Sequence, residues 1–423
     1  MPLTTAIDRP ESALQPAPRQ QHASLSEVLH GQPRTVWVMA FAAVIAFMGI
    51  GLVDPILLSI AEGLHATPSQ TTLLFASYLG VQCIAMLLTG AMAARFGAKR
   101  TVVTGLTLVV LAAGACALAS NITELVALRA VWGLGNAFFI ATALSVIVGA
   151  ATGGQQGAIL LYEAALGVGL AVGPLAGAAL GTISWRGPFA GTALLMAIGL
   201  LLTAILLPRD GARSSRPPVR LRDPLLALRN RALLLTSVGS AFYTAAFFTV
   251  LAWTPFVLEK GPSYVGTVFF GWGLAVAVSG VVLAPKVAAA IGERRGAMLT
   301  VLVYAVLLAV MALGSKPVIV AAVVVSGVCS GMLNTLFTGA AMSSGTAPRA
   351  VSSAGYNFCR WFGGAVAATL VGYLATWFGS ARAPFEVAVV CCIVAAGALM
   401  LRAGADASDP HVLPDTAAAV GAD

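Results

Sequence analysis

Long apolar blocks alternate with short polar breaks along most of this chain, and each block is about the length a helix needs to cross a bilayer, roughly 20 residues. On that pattern, spans are predicted near 35–60, 71–93, 101–120, 123–148, 157–182 and 188–208, and again near 232–257, 263–288, 297–315, 318–342, 352–377 and 383–402. Between the two sets lies Pro208 to Arg231, a stretch with seven arginines and three further prolines that cannot be a span. The pattern predicts an all-α membrane protein of twelve transmembrane helices in two pseudo-symmetric six-helix bundles. The expected segments are a tail at 1–33, a bundle at 34–208, a basic linker at 209–231, a bundle at 232–402 and a second tail at 403–423. Pro2, Pro10, Pro16, Pro18 and Pro33 make the first tail read as a mobile polar segment rather than a cleavable signal.

Composition sharpens this. Of 423 residues, 59% are hydrophobic and only 9% charged, whereas soluble domains carry about 25% charged residues. A net charge of +8 raises the question of nucleic acid, but the distribution of the charge answers it. If both tails lie on the inner side, eighteen of the 24 Lys and Arg fall there, in the tails, the linker and the loops at Arg95–Arg100, Lys286–Arg295 and Arg349, with Arg402. Arg186, Lys260, Lys316 and Arg382 fall outside, and Arg129 and Arg360 lie within spans. That asymmetry is the one that orients membrane proteins. It predicts both termini in the cytoplasm and a bilayer, not a nucleic acid, as partner.

The two halves echo each other. G-A-M-A-A-R-F-G-A-K-R (Gly90 to Arg100) follows the second span and P-K-V-A-A-A-I-G-E-R-R (Pro285 to Arg295) follows the eighth. Gly97 maps on Gly292, and Lys99 and Arg100 on Arg294 and Arg295, at one offset of 195 residues. A parallel repeat is expected.

Candidate chemistry is sparse. Six cysteines lie in apolar stretches with no metal-ligand spacing, and four histidines lie in the tails or the first outer loop, so no metal site or catalytic triad is expected. What stands out is charge inside spans, which is costly and by default functional. Asp54, in G-I-G-L-V-D-P-I-L-L, and Arg129 each lie about seven residues from the outer end of a span, roughly 10 Å deep at 1.5 Å per residue. At matching depth the two can pair. On one reading Asp54 carries a proton and Arg129 tunes its release; on the other they are a static ion pair. Pro55 removes a backbone donor and predicts a kink or break beside the carboxyl. Glu163 is a second proton site, a contact for a cationic substrate in the central cavity, or a polar group near the inner end hydrogen-bonded to a neighbouring helix. Arg360 is a partner for Glu163, a contact for an anionic substrate group, or a structural pairing. Gln82, Asn136, Tyr243, Phe247, Trp253, Trp272, Asn334 and Asn357 are further polar or aromatic candidates for a substrate cavity. Gly169, Gly173 and Gly177 recur every fourth residue beside Pro174, which places them on one helical face for close backbone approach.

These residues resemble the major facilitator superfamily, and within it the twelve-span drug:proton antiporters of multidrug efflux, over about residues 34–402. The inner loop resembles the signature G-x-x-x-D-R-x-G-R-R through Gly90, Arg95, Gly97, Lys99 and Arg100, with Ala94 at the acidic position. The fourth span resembles R-x-x-x-G through Arg129 and Gly133, and the fifth resembles G-x-x-x-G-P-x-x-G-G through Gly169, Gly173, Pro174 and Gly177, with Ala178 in place of the last glycine. The resemblance implies a monomeric secondary transporter of the bacterial inner membrane that moves small molecules against protons by alternating access, with the inner-loop motif and the fifth-span motif acting in gating. The replacement at Ala94 puts gating through the first of these in question. No G-x-x-x-x-G-K-[ST] loop is present, so ATP is not expected as the driver and no cofactor is implied. An apolar cavity with few charges suits greasy or weakly cationic amphipathic substrates. Two alternatives stay open: a carrier of one metabolite (a sugar, an amino acid or a lipid), and a non-transporting sensor or assembly factor on a transporter scaffold.

Overall fold

The computed structural model describes residues 32–150, 154–208, 222–344 and 349–408. The side chain of Glu163, Ala94 and a few neighbours, most of the linker and both tails lie outside the described residues. Among the described residues there is no strand, and twelve helical segments are long and apolar enough to cross a membrane. In chain order they are span 1 (Arg34–Gly63), span 2 (Pro68–Phe96), span 3 (Ala98–Leu118), span 4 (Ile122–Ala150), span 5 (Gly154–Gly181), span 6 (Gly187–Leu206), span 7 (Arg231–Leu258), span 8 (Pro262–Ile291), span 9 (Glu293–Leu313), span 10 (Lys316–Met342), span 11 (Arg349–Trp377) and span 12 (Ala383–Ser408).

Local chemistry sets where these helices start and turn. Thr67 opens span 2 with a capping box: the Gln70 amide donates to Thr67 Oγ1 at 3.2 Å and the Thr67 amide to Gln70 Oε1 at 2.9 Å, which satisfies two orphan donors at the helix start. Asn230 caps span 7 by accepting from the Leu233 amide at 2.9 Å. Spans 2 and 3 meet at Gly97, and spans 8 and 9 at Gly292. These two glycines share one unusual backbone shape, φ 90° and ψ 159° against φ 80° and ψ 155°, which residues with a Cβ seldom adopt. The offset of 195 residues seen in the sequence therefore carries over to the backbone.

Two spans are irregular. Span 1 is helical from Arg34 to Gly51, loosens at Leu52 and Val53, tightens into a 3₁₀ turn over Asp54–Ile56 and resumes from Leu57 to Gly63. Span 8 carries a π turn over Ser279–Leu283. There the Gly280 carbonyl accepts from Thr335 Oγ1 of span 10 at 3.2 Å.

Helix packing repeats across the halves. In the first, spans 1 and 5, 1 and 6, 2 and 4, 3 and 4, and 3 and 6 pack together; in the second, the partners are 7 and 11, 7 and 12, 8 and 10, 9 and 10, and 9 and 12. The seam between halves is built by spans 2 and 11 and by spans 5 and 8, pairs that the same repeat exchanges. Close contacts across it run from the end far from the linker to the middle of the bundle. Gly372 lies against Ser69, Phe75 against Phe248, Gly266 against Pro174 and Ala178, and Gly273 against Leu170 and Ala171. At the linker end, the short helix Asp223–Ala227 buries Pro224 and sets it against Gly355 of span 11.

Candidate functional site

The first half holds a buried polar group of residues around the break in span 1. Asp54 is fully buried, and neither carboxyl oxygen has a hydrogen-bond partner. Arg129 is also fully buried. The direct ion pair expected from their depths is not made, because aromatic rings claim the guanidinium. Its Cζ lies 4.5 Å from the centre of the Tyr78 ring and 4.8 Å from that of Trp132. Nε donates to the Leu74 carbonyl at 3.4 Å, while Nη1 and Nη2 have no partner. A cation held between rings gains about 0.5–2 kcal/mol or more when desolvated, so Arg129 is fixed without its carboxylate and the carboxylate keeps its oxygens free.

Asn136, about two turns beyond Arg129, donates through Nδ2 to the Tyr78 hydroxyl. Gln82 lies on the same helix as Tyr78, fully buried, with both side-chain polar atoms unpartnered. Buried polar groups normally find partners. Here Asp54, Gln82, Arg129 and Asn136 all leave atoms unmet within one half.

The glycine and proline motif of span 5 meets span 1 along this break. A Cβ added at Gly169 would come 2.5 Å from the Val44 carbonyl oxygen, and one at Gly173 would come 2.7 Å from that of Met48. Gly177 faces the Leu52 carbonyl and Gly181 the Ile56 side chain, while Pro174 lies against Gly51. On its other side the same stretch touches span 8 through Gly266 and Gly273. Span 5 is thus wedged between the broken helix of its own half and the seam with the other.

The second half carries a different cluster. Asn334 Oδ1 on span 10 accepts from Arg360 Nη2 of span 11 at 2.8 Å and lies 3.0 Å from the Tyr243 hydroxyl of span 7, which is equally close to the Ser330 carbonyl. Phe247 packs beside Tyr243 with ring centres 6.2 Å apart, and Trp272 packs beside Phe247 at 5.3 Å. Asn357 turns back on its own helix, donating to the Ser353 carbonyl at 3.0 Å. Trp253 stands apart from this cluster: its Nε1 donates to the Ala381 carbonyl at 2.9 Å, at the end of the bundle far from the linker.

Of the loop motif, Gly97 makes the turn, Arg95 lies over the Phe96 ring at 5.4 Å and Lys99 donates to the Leu207 carbonyl at the end of span 6. Gly90 and Arg100 lie in the flanking helices of spans 2 and 3. The expectations for the Glu163 side chain and for Ala94 fall outside the described residues.

One residue passed over as a loop charge is part of the structure's interior. Arg402 is buried near the linker end of span 12, where Nη1 donates to Thr236 Oγ1 at 2.7 Å and to the Ala340 carbonyl at 3.0 Å, joining spans 7, 10 and 12. The signal for it was the run of helix-forming residues that continues past it to Ser408.

Twelve spans in two repeated halves, a broken helix with a buried carboxyl and polar residues inside each half define a multi-pass membrane transporter. The chain belongs to the Major Facilitator Superfamily, whose profile matches residues 39–368. It is 44% identical over 378 residues to the multidrug efflux protein YfmO of Bacillus subtilis, covering 89% of this chain and 94% of that protein. It is 26% identical over 222 residues to the methylenomycin A resistance protein of Streptomyces coelicolor, covering 52% of this chain and 45% of that protein. Among solved structures, the nucleoside transporter NupG superposes with a TM-score of 0.72 at 13% identity, covering 87% of this chain and 99% of that one. The human organic anion transporter MFSD10 does so with 0.67 at 16%, covering 87% and 100%. These two likenesses concern the fold.

Proposed function

We propose that the protein is a proton-coupled antiporter that exports amphipathic small molecules by alternating access, working as a monomer in the bacterial plasma membrane with the linker end and both termini in the cytoplasm. The observation that carries this reading is Asp54: a buried carboxyl with two unpartnered oxygens, at a break in a membrane helix, with a guanidinium fixed by aromatic rings on span 4, which packs against that helix. A carboxyl so placed can take up a proton from one side and release it to the other as its surroundings change. The 44% identity to a multidrug efflux protein over most of both chains supports drug-like cargo, and the excess of Lys and Arg at the linker end supports the orientation.

In this cycle Asp54 takes a proton while the cavity faces outward, and the substrate leaves. The halves then rock about the seam, the proton passes inward under the influence of Arg129, and a new substrate enters. Glu163 serves as a second proton site. Span 5 transmits the change, since its glycine face touches the break in span 1 and its other face touches span 8. Gln82, Asn136, Tyr243, Phe247, Trp272, Asn334, Asn357 and Arg360 supply the polar and aromatic lining.

The test is drug-induced proton movement in inside-out vesicles, with wild type, Asp54→Asn and Glu163→Gln at matched expression. Proton efflux from the lumen on adding a lipophilic cation or a neutral antibiotic is expected for wild type, and its loss in Asp54→Asn. No response of the wild-type protein to any compound in the panel refutes the exporter reading, and an unchanged response in Asp54→Asn removes Asp54 from the proton path.

A further inference from the structure

The guanidinium of Arg360 donates to Asn334 of span 10 inside the second half and has no carboxylate partner among the described residues. Phe362, Val366, Leu370, Tyr373 and Trp377 form the exposed stripe of span 11, at helical spacing, and mark its lipid-facing side. Arg360 precedes Phe362 by two residues, which at about 100° per residue sets it about 160° from Phe362 and roughly 120° from the middle of that stripe. It is half-buried, as are Asn334 and Trp361, and its hydrogen bond to Asn334 turns it toward span 10 rather than toward the stripe. Only one of the five N–H donors of an arginine is used on Asn334, and Nε is buried with no partner. The Trp361 ring lies 5.2 Å from Cζ, and no carboxylate among the described residues forms an ion pair with it. An unpaired cation inside a membrane protein is expensive. A guanidinium steadied at one corner by an amide oxygen and at its face by an indole is arranged to receive a planar, doubly accepting group.

We infer that Arg360, held by Asn334 and Trp361, is the recognition point for an anionic group, and that the exported molecules include amphipathic carboxylates. This rests on the exporter reading and narrows its substrate class: the anion meets Arg360, and the apolar body of the molecule lies against the neighbouring aromatic side chains, Trp361 first among them. The described lining of the second half then opposes the expectation of cationic cargo drawn from composition. Asp54 and Arg129, both fully buried in the first half, are left to the proton.

The experiment measures binding to the purified full-length protein in nanodiscs by tryptophan fluorescence, so its outcome does not depend on transport. Three probes share one body: biphenyl-4-carboxylate, biphenyl-4-carboxamide and 4-phenylbenzylammonium. Wild type is expected to bind the carboxylate at least tenfold more tightly than the carboxamide, and the ammonium most weakly. Arg360→Gln should bring the carboxylate to the affinity of the carboxamide while leaving the latter unchanged, and Arg360→Lys should keep part of the preference. Asn334→Ala, which frees the guanidinium without removing it, should weaken the carboxylate alone and keeps the question answerable should Arg360→Gln not fold. Equal affinities for carboxylate and carboxamide in wild type, tightest binding of the ammonium, or a preference that survives Arg360→Gln each overturns the inference. Proton movement driven by lipophilic cations, with no carboxylate preference in binding, would leave the exporter standing and remove only this assignment.

Discussion

Gly169→Ala is a direct perturbation of the contact between spans 1 and 5. The added Cβ would lie 2.5 Å from the Val44 carbonyl oxygen, 2.7 Å from Phe47 Cβ and 3.0 Å from the Met48 amide nitrogen. Backbone atoms cannot swing aside as a side chain does, so the helices must part by about 1 Å to restore ordinary van der Waals separation. Overpacking of this kind is worth about 1–3 kcal/mol. The same substitution at Gly397 in span 12 meets nothing within 4 Å, and there the gain in helix propensity, about 1 kcal/mol, is all that remains. One chemical change thus has opposite signs at two sites. Applied to the described state, 1–3 kcal/mol shifts a two-state balance by about 5–150-fold. Melting in detergent and substrate-driven proton movement in vesicles are the assays. Gly169→Ala is expected to melt lower and to lose most of its transport, and Gly397→Ala to match wild type or melt higher. Indistinguishable behaviour of the two variants in both assays would refute the argument that backbone contact between spans 1 and 5 governs the cycle.

Two further substitutions probe buried polar groups. Tyr78→Phe keeps the ring over Arg129 but drops the hydrogen bond from Asn136, so a loss of about 0.5–1.5 kcal/mol is expected; Tyr78→Leu also removes the cation–ring contact and should lose roughly another 0.5–2 kcal/mol, both read by thermal melting. Arg402→Met strips spans 7, 10 and 12 of a shared donor at Thr236 and Ala340; a loss of about 1.5–3 kcal/mol is expected, in line with hydrogen bonds to charged groups, and Thr236→Val added to it should cost little more.

The fold was legible because the bilayer imposes so coarse a pattern: blocks of apolar residues, arginines between them and a basic break in the middle. The break in span 1 was legible too, since Asp54 and Pro55 stand together where lipid should be. What the sequence could not supply was rotation. Depth along a helix follows from counting residues, so Asp54 and Arg129 were placed at one level; which way each faces depends on packing. Trp132, three residues beyond Arg129, was in principle readable as its neighbour, whereas Tyr78 comes from another helix and was not. The same holds for Trp253, an aromatic residue inside a span that turns out to bind the Ala381 carbonyl near the far end. Arg402 misled for another reason. It was counted with the inner loops, but the helix runs on beyond it, and a charge at the last apolar turn is drawn inward when backbone carbonyls wait there. The repeat was the best-read feature, because Gly97 and Gly292 are needed for a backbone shape that few other residues tolerate.

The docking of Pro224 on span 11 bears on how the gene can be divided. Each half keeps its own set of helix pairings, and the halves meet at two matched seams, so the polypeptide need not be continuous to assemble. The position of the cut matters, however. The helix Asp223–Ala227 precedes span 7 in the chain yet rests on Gly355 of span 11, so it travels with the second half. Two reading frames, one ending before residue 222 and the other beginning there, would leave the contact of Pro224 with Gly355 within the second fragment; a division a few codons later would strand the clasp of the second half on the end of the first.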